Sequence, residues 1–250
     1  MENLFSTVKL AQKRALITGG TSGIGLATAL LLVKYGIRLY IIGRDEEKLE
    51  KALEKLKGEH EEAEVYGMCA DVADPEDLSR LFESIDKNWG GLDILINNAG
   101  LGYGSILNGH YQDWEYIVKT NLLGYIACCH EAVLHMTKQG SGHIICIGSM
   151  SADTREEESS LYVATKSALQ GFSESFRKEV NGQNIHVTLI EPGSVATPMH
   201  KIAEAEKQHQ LEELTMLHSN DIARSILYVL SQSERCAIVD LKIKPLKQLI

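Results

Sequence analysis

Paired cysteines, long apolar runs and an excess of positive charge are all missing from this sequence, and each absence closes off a class of protein. The five cysteines (Cys69, Cys128, Cys129, Cys146 and Cys236) are odd in number and show no C-x-x-C or metal-ligand spacing. Most fall in apolar segments, so they read as buried free thiols of a reducing cytosol rather than as a disulfide framework. No window approaches ~18 uninterrupted apolar residues, which excludes a membrane-spanning helix. Met1 to Gln12 carries no basic stretch followed by an apolar run, so no secretory leader is expected. Asp and Glu outnumber Lys and Arg by 34 to 25, and a net charge of -9 argues against nucleic acid or an anionic membrane as partner. Repeats, low-complexity tracts and linkers are also absent. The 250 residues, 44% hydrophobic and 24% charged with 4 prolines, suit one cytoplasmic domain spanning 1–250 with a large core.

What is present is an alternation of apolar strands and amphipathic helices. Arg14 to Thr18 reads as a strand running into Gly19-Gly20-Thr21-Ser22-Gly23-Ile24-Gly25, and a helix with Ile24, Ala27 and Leu31 on its packed faces follows. In that arrangement a helix N-terminus offers free N–H groups and a positive dipole to a pyrophosphate, and the glycines let the backbone come close. Arg38 to Ile42 is a second strand. An acidic residue at its end would bind the ribose hydroxyls of NAD, but Gly43 stands there, followed by Arg44, whose fork of donors suits a 2′-phosphate. NADP is therefore expected over NAD, although a solvent arginine closing a loop would look the same. Further strands are expected at Glu64 to Ala70, ending at Asp71-Val72, and at Asp93 to Ile96, ending at Asn97-Asn98-Ala99-Gly100. Helices are expected at Glu46 to Lys57, with a solvated Glu/Lys face, and at Pro75 to Asn88, capped by Asp74. The alternation predicts an α/β Rossmann-type doubly wound sandwich, whose ligands sit at the carboxyl ends of the strands.

Tyr111 to Thr137 is predicted as one long helix with Asn121 inside its apolar stripe, where a buried amide must either brace backbone or serve a water chain. His130 and His135 suggest a metal pair at first sight, but five residues on a helix spread them by ~140°, so no metal is expected. His143 to Ser149 is a fifth strand, and Ile185 to Ile190 a sixth. The polar stretch Met199 to Ser219 is helix-prone and could close over a ligand. A helix near Asn220 to Leu230, a strand over Cys236 to Ile243 and an apolar tail, Leu246 to Ile250, complete the chain.

The organising stretch is Ser149 to Lys166. Tyr162 follows Ser149 by thirteen residues, and Lys166 stands four beyond it at the start of a helix over Ser159 to Val180, on the same face. A phenol with a pKa of ~10 is a poor acid or base near neutrality. A lysine cation ~5 Å away, at an effective dielectric of ~20, would favour the phenolate by roughly 3 kcal/mol, or about 2 pK units. That shift would bring Tyr162 into the range of useful general acid–base chemistry.

Taken together and in order, Thr18–Gly25, Asp71, Asn97–Gly100, Asn121, Ser149, Tyr162, Lys166 and Pro192–Thr197 resemble the short-chain dehydrogenase/reductase family in its single-domain branch. The likeness covers nearly the whole chain from about residue 13, and is loosely nearest to the 3-hydroxy acid and serine dehydrogenase members. It implies a seven-stranded parallel sheet and an Asn121-Ser149-Tyr162-Lys166 tetrad. Tyr162 would be the acid/base, and Ser149 would hydrogen-bond the carbonyl. Lys166 would bind the nicotinamide ribose and lower the Tyr162 pKa, and Asn121 would hold a relay water. The cofactor groove would comprise Thr18, Gly19, Thr21, Ser22, Gly23, Ile24, Gly25, Gly43, Arg44, Asp71 against adenine, Val72, Asn98, Ala99, Gly100, Pro192, Gly193, Val195 and Thr197. Asn97 would brace the cofactor strand. Thr21-Ser22 supplies no basic residue within the turn, unlike many NADP-preferring members. The expected activity is hydride transfer between NADPH and a small carbonyl or alcohol, in a homodimer or homotetramer. Glu156-Glu157-Glu158, bordering the substrate mouth, would disfavour carboxylates unless Arg155 turned inward. A non-catalytic NAD(P)-binding scaffold or redox-sensing regulator is the competing reading, although a pure binder would not need Tyr162 and Lys166 together.

Overall fold

The computed structural model describes residues 10–60, 63–200 and 202–249. Most of the leader expectation, read on Met1 to Gln12, and the end of the tail at Ile250 lie outside the described residues. The strands are β1 (Arg14–Thr18), β2 (Arg38–Gly43), β3 (Val65–Cys69), β4 (Ile94–Asn97), β5 (Gly142–Ile147), β6 (Ile185–Pro192), β7 (Val195–Ala196), β8 (Leu217–His218) and β9 (Asp240–Ile243). Seven of them form one parallel sheet in the order β3-β2-β1-β4-β5-β6-β9, and β7 pairs with β8 apart from it. The chain winds outward through β2 and β3, then returns to lay β4 beside β1. At that reversal Ile17 faces Ile96, and the chain turns that follow the two strands border the crevice at their carboxyl ends.

The helices are α1 (Gly23–Val33), α2 (Glu46–Glu59), α3 (Pro75–Trp89), α4 (Tyr111–Val118), α5 (Gly124–Gln139), α6 (Ser151–Thr154), α7 (Ser160–Val180), α8 (Glu204–Glu212) and α9 (Ser219–Leu230). Strand residues alternate between two cores, as a pleated sheet requires. Leu16 joins Leu81, Tyr125, Cys128 and Leu169 under α3, α5 and α7, whereas Ala15 and Ile17 join Leu32, Leu49, Ile222 and Ile226 under α1, α2 and α9. Fully burying each Leu or Ile contributes roughly 1.5–3 kcal/mol before entropy is charged against it. Asp45 caps α2 by accepting from the Lys48 amide at 3.0 Å, and Asp74 caps α3 by accepting from Glu76 at 2.9 Å. The Ser22 side chain makes no such bond at the head of α1. Its free N–H groups therefore remain directed at the crevice.

The structure revises several expected boundaries. The long helix over Tyr111 to Thr137 is interrupted by a π turn, Lys119–Leu123, in which the Gly124 amide reaches back to the Lys119 carbonyl. The last strand begins at Asp240 rather than Cys236, because residues 233–236 close a turn, Cys236 N–H donating to the Ser233 carbonyl. The apolar tail is not buried in this chain, since Leu246 and Leu249 are 80% and 98% exposed. Of the cysteines, Cys128, Cys129 and Cys146 are buried free thiols, whereas Cys69 and Cys236 are exposed. His135 packs on Phe82 and sits 3.5 Å from Asp86.

Candidate active site

A cleft of about 950 Å³ lies along the carboxyl ends of the strands. That volume matches an extended, ligand-sized site. Its floor begins at the turn after β1. Gly19 adopts φ +64°, and a Cβ on Gly25 would stand 2.2 Å from the Gly19 carbonyl oxygen, so only glycine lets α1 start this close to the strand. The turn is bound to β4: Thr18 Oγ1 accepts from the amides of Asn98 (2.9 Å) and Ala99 (3.0 Å), and Asn98 Nδ2 donates to the Thr18 and Gly19 carbonyls at 3.0 and 3.1 Å. Asn98 therefore braces the glycine turn. Asn97, the last residue of β4, faces the other side of the sheet and clamps α5 through the Tyr125 carbonyl at 3.1 Å. Asn97 thus ties the end of β4 to α5, while its neighbour Asn98, pointing to the opposite face, holds the glycine turn.

Around the walls come Gly19, Thr21, Ser22, Gly23, Ile24, Gly43, Arg44, Asp71, Val72, Asn98, Ala99, Gly100, Ser149, Tyr162, Lys166, Pro192, Gly193, Val195 and Thr197. Thr18, Gly25 and Asn121 are absent from that lining and support it from behind. Asn121 Oδ1 accepts from the Leu101 amide and Nδ2 donates to the Leu101 carbonyl, both at 2.8 Å, with a longer bond to Thr165 Oγ1 at 3.3 Å. This amide braces the Leu101 backbone. The π turn aims it, as such bulges commonly do at functional positions.

At the chemical end of the cleft, buried Ser149 and half-buried Tyr162 share one wall, and Ser149 Oγ accepts from the Ser151 amide at 3.1 Å. Lys166 is buried, donates to the Ile147 carbonyl at 2.9 Å and lies 5.8 Å from the Tyr162 ring centroid. The expected acidification of the phenol is not what this arrangement produces. Burial raises the Tyr162 pKa, the neighbouring Ser149 hydroxyl offsets only part of that, and Glu156 adds to the rise. Burial also lowers Lys166 to about 8, partly countered by Cys146 and Glu191. Desolvation penalises both charged forms. The Lys166 cation, 5.8 Å from the ring centroid and already engaged by a carbonyl, does not reverse it.

At the other end, Arg44 and Lys48 project from the mouth, and both are exposed. Lys48 pairs with Asp45 at 3.1 Å. Asp71 Oδ1 accepts from the Ala73 amide at 2.9 Å, and Oδ2 accepts from the Tyr116 hydroxyl. The substrate-side wall consists of Leu101, Gly102, Tyr103, Gly104, Met199 and His200. Burial and nearby Lys207 lower the His200 pKa, so the ring is neutral near pH 7. Behind the Ser149 turn lies a fully buried Glu191. Its Oε1 accepts from Gln170 at 2.9 Å, while Oε2 stands 3.7 Å from Lys242, too far for a hydrogen bond. Burial pushes this carboxyl up to about 7.

The sequence matches the model of the short chain dehydrogenase family over residues 13–208. The chain belongs to that family. An uncharacterised oxidoreductase of Staphylococcus saprophyticus is 31% identical over 239 residues, covering 95% of this chain and 99% of its own. Among solved short-chain dehydrogenases, L-sorbose reductase from Gluconobacter frateurii, complexed with NADPH and L-sorbose, superposes with a TM-score of 0.86 at 27% identity, covering 96% of this chain and 98% of its own. A serine dehydrogenase complexed with NADP+ gives 0.85 at 27% identity over 95% and 96%. For this short-chain dehydrogenase, sequence reasoning named the glycine turn and the cleft-lining Ser149, Tyr162 and Lys166 but not Lys48, Tyr116, His200 and Glu191. Lys48 could have been found from the chain, since it stands one helical turn after Arg44. The partners of Tyr116 and Glu191 are too distant in sequence to leave a local signal.

Proposed function

We propose that the protein is an NADP-dependent reductase of a small neutral carbonyl, with Tyr162 as the proton donor. The observation that carries this is the Ser149–Tyr162 hydroxyl pair on the cleft wall, with Lys166 fixed behind it by the Ile147 carbonyl. The residues present fit an NADP(H) group: an uncapped α1 N-terminus for the pyrophosphate, no carboxylate at the end of β2, and Arg44 with Lys48 where a 2′-phosphate would stand. The complexes of the sorbose reductase and the serine dehydrogenase with NADP(H) support the same choice. NADPH, when bound, supplies the hydride.

The chain's own residues do the rest. Ser149 donates to the substrate oxygen and holds it against Tyr162. Tyr162 then gives up its proton, and the Lys166 ammonium, largely protonated at pH 7 with a pKa of about 8, stabilises the phenolate left behind. Asn121 keeps the Leu101 backbone in place beside them. Because burial keeps the phenol protonated through the neutral range, reduction suits this site near pH 7, and oxidation gains as the pH rises.

The substrate reading follows from charge. The described substrate-side wall offers no cation to a carboxylate, and Glu156, Glu157, Glu158 and Arg155 are all exposed, with Arg155 not turned inward. Turnover of a panel of neutral diketones and 3-oxo acids, with NADPH and NADH side by side, tests both points. Neutral ketones with NADPH should be fastest; a 3-oxo acid far ahead of them would refute the substrate class. Micromolar NADPH binding with no turnover of any member would favour the scaffold. A homodimer or homotetramer is also proposed, supported by the exposed Val118, Leu123, Ile126 and Leu134 along α4, the π turn and α5. Light scattering should show a mass of two or four chains, and a monomer would refute it.

A further inference from the structure

Tyr116 joins the two residues that the cofactor reading places at the adenosine end. Its hydroxyl donates to Asp71 Oδ2 and accepts from one terminal nitrogen of Arg44, whose guanidinium carbon lies 5.7 Å from the ring centroid. The three residues come from three elements: Arg44 follows β2, Asp71 follows β3 and Tyr116 belongs to α4. Arg44 is exposed, and an unheld arginine there would sample many rotamers. An unscreened carboxylate within reach would also draw the guanidinium into a direct ion pair and spend the charge that a phosphate needs. The phenol prevents both. It fixes Arg44 by one nitrogen at its hydroxyl edge, and interposes a neutral hydroxyl between cation and carboxylate. Burial and Asp71 raise the Tyr116 pKa, so the spacer stays uncharged.

We propose that Tyr116 is a positioning residue for NADP specificity: it holds Arg44 apart from Asp71 with the remaining guanidinium donors free for the 2′-phosphate. This rests on the assignment of Arg44 to that phosphate. Tyr116 does not itself line the cleft, so it acts through Arg44 rather than on the cofactor.

The test is a double-mutant cycle on the full chain, with Kd for NADPH and NADH measured for wild type, Tyr116→Phe, Arg44→Ala and the double variant. Phe keeps the ring and the fold, which equal melting temperatures would verify. Tyr116→Phe should weaken NADPH about 3- to 10-fold while moving NADH less than about 2-fold. In the Arg44→Ala background the same change should have no further effect on NADPH. Equal weakening of both cofactors, no change in NADPH affinity, or an undiminished effect without Arg44 would each overturn the proposal. Should Arg44→Ala itself leave NADPH preference intact, the NADP assignment fails first, and that result is separate from the behaviour of Tyr116→Phe.

Discussion

The two ends of the cleft are built on different principles. At the chemical end, Ser149 and Lys166 are buried and fastened to backbone: Ser149 Oγ accepts from the Ser151 amide at 3.1 Å, and Lys166 donates to the Ile147 carbonyl at 2.9 Å. At the opposite end, Arg44 and Lys48 are exposed and are held by other side chains, Tyr116 and Asp45. Main-chain anchors within a packed core allow little adjustment, whereas exposed ion pairs are individually weak and exchangeable. Under the proposed function, the reacting groups are therefore rigid, and the choice of cofactor rests on a few replaceable surface residues. Substitutions at one end should alter turnover with little effect on cofactor preference, and substitutions at the other should do the reverse.

The largest expected break is Lys166→Met. Removing the cation that stabilises the phenolate should lower kcat by about 10²- to 10³-fold while the ratio of NADPH to NADH affinity stays the same. A changed ratio would mean that the two ends are not separable. Next comes Arg44→Ala, which loses a charge-assisted contact with the 2′-phosphate and should weaken NADPH by about 10- to 100-fold with NADH and kcat nearly unchanged. Equal losses for the two cofactors would erase the contrast.

Glu191 sharpens the comparison by pH, because it is buried behind the rigid end. Its ordinary value near 4.5 is raised to about 7 in the fold. The protonated carboxyl therefore favours folding fully below about 4.5, and that contribution is lost as pH rises through 7. Relative to Glu191→Gln, the wild type should lose about 3 kcal/mol of stability between those limits, read by urea denaturation at a series of pH values. Parallel pH curves for the two proteins would show that the buried carboxyl does not titrate in that window. The smallest effect belongs to Lys48→Ala at the exposed end, where NADPH should weaken only about 2- to 5-fold, as for a solvated ion pair. A loss as large as that of Arg44→Ala would make Lys48 the principal phosphate ligand.

The sheet was legible because its strands are apolar runs closed by glycine, aspartate or asparagine, and the juxtaposition of Ser149, Tyr162 and Lys166 because they sit at fixed spacings on one strand end and one helix face. The rest depended on burial and on contacts across the fold. The sign of the Tyr162 shift could not be read from spacing, since the ammonium is countable in sequence and the desolvation is not. The Tyr116 bridge spans 72 residues to Arg44 and 45 to Asp71, with no local pattern to announce it. The π turn at Lys119–Leu123 contains neither glycine nor proline, so nothing in its composition separates it from the α-helix on either side.

Proton donation by Tyr162 is tested most directly by a single-turnover experiment in which wild type and Tyr162→Phe, each preloaded with NADPH, are mixed with a neutral diketone and the loss of NADPH absorbance is followed. The wild type should consume its bound NADPH, and Tyr162→Phe should hold the cofactor with similar affinity yet consume it about 10³-fold more slowly. Consumption at the same rate in both proteins would contradict the account.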